Sequence, residues 1–262
     1  MRLIPRKKIG QYPEVLEDLL QPSVISRALV RAAKRLCQEV DTLKFSPPIT
    51  HVYNPLRYAW APHKLYLQKF GGTKKRVVFL GMNPGPFGMA QTGVPFGEIL
   101  AVRNWLKIEA PVRRPSLEHP RRLVTGFACT RSEISGQRLW RLFAERFGHA
   151  GEFFASHIVM NYCPLAFLES TGRNRTPDKL APAERTRLIA ACDRHLQAVV
   201  TVLEPEWVIG IGDFAAKRAA QSLSRSDVRI GRILHPSPAS PSANRDWAGA
   251  AIRQLQALEV WD

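Results

Sequence analysis

Short apolar runs alternate with helix-length segments along most of this chain, and this alternation narrowly limits how it can fold. Five runs have the length and composition of buried strands, and they cover residues 77–80, 124–128, 157–160, 207–211 and 228–234. Strands that alternate with helices form a mainly parallel sheet covered by helices on both faces. The sequence therefore predicts an α/β fold, a three-layer α/β/α sandwich with a central, mainly parallel sheet, as a single domain over residues 1–262.

Apolar residues at helical spacing, or polar segments of helical length, lie between these runs. They predict helices over residues 26–43, 135–147, 182–203, 214–222 and 241–258. The aromatic residues of segment 54–70 are expected to pack in the core rather than to form a surface for stacking bases. Residues 1–25 are predicted to be extended or irregular.

Basic residues far outnumber acidic ones, 38 against 22, and give a formal net charge of +16. A polyanion is the commonest partner of such a chain, although charge alone leaves RNA, a membrane surface and simple solubility open. We expect DNA as the partner, a monomer, and no membrane span, because no apolar run approaches ~20 residues.

The amino terminus lacks the apolar stretch of a signal peptide, so the expected location is cytoplasmic, at the nucleoid in a bacterium or in the nucleus in a eukaryote. The four cysteines form no C-x-x-C pair, which predicts neither a zinc site nor an iron–sulfur cluster. No cofactor is expected.

Two polar loops rich in proline follow predicted strands, and open α/β sheets place their ligands at such strand ends. The loop at 81–98 reads GMNPGPFGMAQTGVPFGE, and the loop at 235–247 reads HPSPASPSANRDW. In the first loop Asn83 offers an amide that can position a water, and Phe96 offers a flat apolar face. Taken alone, the first loop could also be a glycine- and proline-rich turn without chemistry.

Together the two loops resemble the single-strand-selective monofunctional uracil-DNA glycosylases, one family of the uracil-DNA glycosylase superfamily. Further similar segments are 52–70, RSEISGQRLW at 131–140, NYCPLAF at 161–167, TGRN at 171–174 and VIGIG at 208–212. The resemblance therefore spans roughly residues 50–258.

The resemblance implies that Asn83 positions the attacking water and that His235 stabilises the charge that develops on the departing uracil. It also implies that Asn161 reads the base, that Phe96 stacks on it and that the backbone of Met82 touches it. An asparagine is a weak base, so this pair favours a dissociative mechanism with an oxocarbenium-like sugar.

Gly85 stands where classical uracil glycosylases, with their GQDPYH motif, carry a tyrosine that blocks the thymine methyl group. A glycine is expected to leave space near C5 of the base. By resemblance, that space admits 5-hydroxymethyluracil and related oxidised pyrimidines, and discrimination against thymine must then come from elsewhere, such as a bound water that a polar C5 group replaces.

Two further stretches are implied to contact DNA. The first comprises Arg173, Asn174 and Arg175. The second resembles the helical wedge of the family and includes Pro236, Ser237, Ala239, Asn244 and Arg245. Ala239 replaces a common arginine, so insertion into the duplex is expected to be weaker here. The basic loop at 111–122 could lie along a phosphate backbone or could equally be a solvated connection.

Neither motif brings a lysine suited to form a Schiff base, so the sequence predicts a monofunctional enzyme that leaves an abasic site. The expected substrates are uracil, 5-hydroxymethyluracil and related oxidised pyrimidines, in single- and double-stranded DNA. The alternatives are a catalytically silent DNA-binding protein of the same fold and an enzyme that acts on free nucleosides.

Overall fold

The computed structural model describes residues 22–262, so the prediction for residues 1–25 falls almost entirely outside the described part. The first helix of the described part, Val24–Asp41, begins where Ser23 caps it by accepting a hydrogen bond from the backbone N–H of Ser26 at 3.1 Å. Residues 24 and 25 are therefore helical rather than irregular.

The described residues form α-helices and strands in the following order along the chain. The helices are α1 Val24–Asp41, α2 Pro55–Tyr58, α3 Trp60–Phe70, α4 Met89–Thr92, α5 Ile134–Phe147, α6 Ala150–Ser156, α7 Pro182–Leu203, α8 Asp213–Ser222 and α9 Pro241–Ala257. The strands are β1 Ile49–Tyr53, β2 Val77–Gly81, β3 His157–Asn161, β4 Ala166–Glu169, β5 Asn174–Arg175, β6 Trp207–Ile211 and β7 Arg229–Ile233. No helix within residues 22–262 is both long and apolar enough to cross a bilayer.

Four strands form the central sheet in the order β3-β2-β6-β7, and every neighbouring pair is parallel. All residues of β2 and β6 are buried, as expected for strands covered on both faces. Helices flank this sheet, so the predicted α/β architecture with a central parallel sheet is confirmed.

A smaller antiparallel sheet, in the order β1-β4-β5, was not predicted. Its strands are short, and β5 has only two residues, so their apolar pattern is too brief to read from the sequence. This sheet matters for function because it carries Asn174 to the loop that follows β2.

The predicted strand at 124–128 is wrong. Residues 126–128 form a turn of 3₁₀ helix, and Gly126 has a φ of +61°, outside the strand region. The Gln91 side-chain oxygen accepts from the N–H groups of Thr125 at 2.9 Å and Gly126 at 3.1 Å. The backbone here is thus satisfied by a side chain instead of a neighbouring strand.

The aromatic segment at 54–70 packs in the core, as predicted. Tyr58, Tyr66 and Phe70 are buried on α2 and α3. The Tyr66 hydroxyl donates to the carbonyl oxygen of Val159 in β3 at 2.7 Å, which ties α3 to the central sheet.

Candidate active site

The carboxyl ends of β2, β3 and β7 meet at one edge of the central sheet. Gly81 at the end of β2 is in register with Asn161 at the end of β3, and β7 ends two residues before His235. The motifs after these strands are thereby brought together around a cavity of about 350 Å³. Its lining residues are Met82, Asn83, Gly85, Phe96, Glu133, Ser135, Asn161, Asn174, Thr176, His235 and Ser237.

The Asn83 amide is fixed in one orientation. Its Nδ2 donates to the carbonyl oxygen of Leu165 at 3.1 Å, just before β4. Within residues 22–262 its Oδ1 has no hydrogen-bond partner, so the acceptor end of the amide is available to a water. Nearby, the Met82 carbonyl accepts from the backbone N–H of Cys163 at 2.8 Å, which holds the start of the loop against β3.

Asn161 presents an unpaired acceptor in the same cavity. Its Nδ2 lies 3.2 Å from the sulfur of Met89, while its Oδ1 is buried and has no partner among the described residues. A buried polar atom without a partner costs about 1–3 kcal/mol, so a ligand that donates to Oδ1 recovers that cost. The N3–H group of uracil is such a donor.

Phe96 is held tightly although its backbone is strained. It is 7% exposed and has a φ of +51°, a conformation that costs a non-glycine residue about 1–3 kcal/mol. Its carbonyl accepts from the Trp140 indole at 2.9 Å and from the Glu98 N–H at 2.7 Å. A Cβ at Gly136 would lie 2.1 Å from the same oxygen, so only glycine fits beneath it. These contacts fix the ring that faces the cavity.

His235 is neutral at physiological pH. Burial lowers the pKa of its imidazole from 6.5 to about 4. Its ring centroid lies 6.0 Å from that of Phe96, so the two rings border the same space. A neutral imidazole can donate one N–H to an oxygen that gains negative charge without itself carrying a positive charge.

Glu133 also lines the cavity, and the sequence analysis did not single it out. Burial, and then the nearby Glu98 carboxyl, raise the pKa of Glu133 from 4.5 to about 7. Its Oε2 is enclosed and has no partner among the described residues, although the residue as a whole is only half-buried. A sequence signal did exist, because Glu133 lies in RSEISGQRLW, the segment at 131–140 that resembles the family.

The Glu133 carboxyl lies directly against Gly85 and Gly88. A Cβ built on Gly85 would lie 1.8 Å from Oε1 of Glu133, and one built on Gly88 would lie 1.7 Å from Oε2. The direction in which a side chain would leave Gly85 is therefore taken by Glu133, and the room beside Gly85 lies on its cavity side.

The three consecutive residues predicted to contact DNA at 173–175 differ in their surroundings. Arg173 is exposed. Arg175 forms an ion pair with Glu169 at 2.8 Å and donates to the Lys179 carbonyl at 2.9 Å. Asn174 donates to the Pro84 carbonyl at 2.9 Å, so it braces the loop that carries Asn83. Of these three residues, Arg173 alone presents an exposed side chain.

The segment after His235 forms one rim of the cavity, and Ser237 lines it. Arg138 on α5 donates to the Pro236 carbonyl at 3.2 Å and to the Asn244 side chain at 2.9 Å. Ala239 and Arg245 are exposed. The first turn of α9 ends at a break, since Asp246 has a φ of −161°. The predicted wedge is thus a separate turn that Arg138 attaches to the body of the protein.

Comparison with known proteins agrees with this fold and site. Residues 68–256 match the model of the uracil DNA glycosylase superfamily. The chain also resembles the single-strand selective monofunctional uracil DNA glycosylase of Mus musculus, with 43% identity over 256 residues, 95% of this chain and 92% of the mouse protein. The protein of the same description from Rattus norvegicus is 44% identical over 95% of this chain and 91% of its own length.

Among solved structures, SMUG2 of Pedobacter heparinus superposes with a TM-score of 0.61 at 18% identity, over 88% of this chain and 99% of that one. This likeness supports the fold. The chain is thus a member of the uracil-DNA glycosylase superfamily. Within it, the chain belongs to the family of single-strand selective monofunctional uracil-DNA glycosylases.

Proposed function

We propose that this uracil-DNA glycosylase hydrolyses the bond between deoxyribose and uracil, or a C5-oxidised relative such as 5-hydroxymethyluracil, and leaves an abasic site. The observation that carries the proposal is the pairing, in one cavity, of the anchored Asn83 amide with the neutral His235. The uracil activity follows from family membership, whereas the residue roles and the wider substrate range are proposed here.

The roles follow from the chemistry of the bond. As the base leaves, the sugar carbon becomes electron-poor and the base becomes negative. Asn83 Oδ1 orients a water toward that carbon, while the His235 N–H donates to O2 of the departing base. Asn161 accepts from N3–H and donates to O4, and Phe96 stacks on the ring. Cytosine presents the opposite pattern at N3 and C4, so Asn161 disfavours it.

The remaining features fit a hydrolase that acts on a flipped nucleotide. No lysine is among the residues that line the cavity in the described part of the chain, which favours hydrolysis over Schiff-base chemistry. Flipping from a duplex costs roughly a few kcal/mol, and single strands avoid much of it. We further propose that the protein acts as a monomer on single- and double-stranded DNA, at the nucleoid or in the nucleus.

The test is single-turnover cleavage of oligonucleotides that carry one uracil or one 5-hydroxymethyluracil, followed by alkali to break abasic sites. The wild type should cleave, and Asn83→Ala should lose at least ~100-fold in rate while it still binds DNA. Asn104→Ala, at an exposed asparagine outside the cavity, is the control.

Two results would support the alternatives instead. Binding without cleavage of any lesion by the wild type would indicate a silent DNA-binding protein. Preferred release of uracil from free deoxyuridine would indicate a nucleoside enzyme. Normal cleavage by Asn83→Ala would remove the role assigned to that amide.

A further inference from the structure

The carboxyl of Glu133 occupies an unusual place in the wall of the cavity. It lies against Gly85 and Gly88, where side chains at either position would collide with it. Its Oε2 is enclosed and unpaired within residues 22–262. Apart from His235, it is the only ionisable side chain among the described residues that line this cavity. The enclosed Oε2 lies on the Gly88 side of the carboxyl, whereas Oε1 lies against Gly85, which lines the cavity, so Oε1 is the oxygen that a ligand could reach. A carboxyl without a partner is costly, which points to a ligand at Oε1.

The orientation proposed for the base determines which of its edges meets Glu133, and this step rests on the proposed function. With O2 at His235 and the N3–H and O4 groups at Asn161, only the C5–C6 edge of the ring is unassigned. That edge adjoins N1 on the side away from O2. Asn83 must lie below the sugar carbon bonded to N1, and Gly85 follows it by two residues on the same loop. The C5–C6 edge therefore faces Gly85 and the Glu133 carboxyl against it.

The chemistry of a carboxyl at that place separates C5 substituents. A hydroxyl on a C5 methylene can donate to a carboxyl oxygen, or accept from the acid when the carboxyl is protonated. A C5 hydrogen leaves room for a water to do the same. A methyl group excludes the water but offers no hydrogen bond, so it leaves the carboxyl buried and unpaired, at a penalty of about ten- to a hundredfold in rate.

We propose that Glu133 is the specificity-determining residue for the C5 substituent: its carboxyl hydrogen-bonds a hydroxyl carried on C5 and rejects a methyl group. The protein thereby accepts 5-hydroxymethyluracil and excludes thymine without a bulky residue at position 85. The pKa of Glu133, raised to about 7 by burial and then by Glu98, is consistent with a poorly solvated carboxyl waiting for a partner.

The experiment measures single-turnover rates on uracil, 5-hydroxymethyluracil and thymine in one strand context. Glu133→Met removes the polar group at similar length, and Glu133→Asp withdraws the carboxyl by one methylene. Glu133→Gln keeps hydrogen bonding and serves as the rescue variant. Glu152→Met, at an exposed glutamate on α6, is the matched control.

We expect the ratio of the 5-hydroxymethyluracil rate to the uracil rate to fall about tenfold or more in Glu133→Met and in Glu133→Asp. Glu133→Gln should stay within a few-fold of the wild type. The ratio of thymine to uracil should rise in Glu133→Met, because a methyl group then meets an apolar side chain.

An unchanged 5-hydroxymethyluracil ratio in both Met and Asp variants, with uracil excision intact, would overturn the inference and leave the proposed function standing. If Glu133→Met fails to fold, the Asp variant decides the question alone. Absence of uracil excision by the wild type would instead refute the proposed function.

Discussion

Glu133 should make the folded protein less stable as the pH rises from about 4.5 to 7, whereas most acidic residues have the opposite effect. The substitution Glu133→Gln should remove this loss of stability. Unfolded Glu133 releases its proton near 4.5, whereas in the folded protein it does so near pH 7. Between these values the folded state holds more protons, so each rise in pH within this window lowers the free energy of unfolding of the wild type. Glutamine has no such transition.

The size of the effect follows from the two pKa values. Their separation, 7 minus 4.5, at ~1.4 kcal/mol per pH unit sets a ceiling of ~3.5 kcal/mol. Because Glu133 borders an open cavity, water reduces this penalty, and we expect Glu133→Gln to be about 1–2 kcal/mol more stable than the wild type at pH 8. At pH 4 both side chains are neutral and similar in size, so the two proteins should be about equally stable.

Urea unfolding of both proteins at pH 4, 6 and 8 provides the measurement. Glu98, whose carboxyl contributes to the raised pKa of Glu133, and His235, which lines the same cavity, are present in both proteins. Glu152→Gln is the control for an exposed glutamate. A stability difference that is the same at all three pH values would refute the reasoning, because it would show that Glu133 titrates alike in the folded and unfolded states.

Three other predictions concern the rest of the site. His235 should contribute no step to the pH–rate profile between pH 5.5 and 8, because its pKa is about 4; an inflection near 6.5 that disappears in His235→Asn would contradict this. Arg173→Ala should weaken binding to DNA of every sequence and reduce the slope of log affinity against log salt concentration by about one unit. Arg175→Ala should instead lower mainly the stability of the fold, because Arg175 pairs with Glu169. Equal salt slopes for the wild type and Arg173→Ala would place Arg173 away from the DNA. Gly136→Ala should lower stability by about 1–3 kcal/mol and slow excision by displacing Phe96, and the control Gly151→Ala, whose Cβ would meet nothing within 4 Å, should do neither. Thermal unfolding and single-turnover rates of the two glycine variants decide that last prediction.

The central sheet was predictable because its strands are buried on both faces and therefore appear as continuous apolar runs. The run at 207–211 became β6 without adjustment, and helix α7 has the predicted bounds. Segment 124–128 carried the same apolar signal, yet Gln91, more than 30 residues away, satisfies its backbone. Such a contact is a property of tertiary structure, which local pattern does not record.

The sequence predicted the motif residues of the site, but not the neighbouring residues that complete the lining of the cavity. Asn161 ends a strand and Asn83 and His235 follow strands, and all of these strands end at one edge, so the three residues meet wherever such a sheet forms. Glu133 reaches the cavity from the start of α5, and only the packing of that helix against the loop at 85–88 reveals it. Likewise, the sequence could not tell that Asn174 would brace Pro84 instead of facing solvent.

The loops that form the cavity are joined to one another before any DNA arrives. The Asn174 bond to Pro84 and the Cys163 bond to Met82 tie the loop after β2 to two other segments, and the Arg138 bond to Pro236 ties the segment after β7 to α5. A preorganised cavity loses little conformational entropy when it accepts a base. Most of the energetic cost of binding is therefore the cost of deforming the nucleic acid. If the protein acts as proposed, we expect nucleotides that unstack at low energetic cost, in single strands, mismatches or damaged pairs, to enter the cavity most readily.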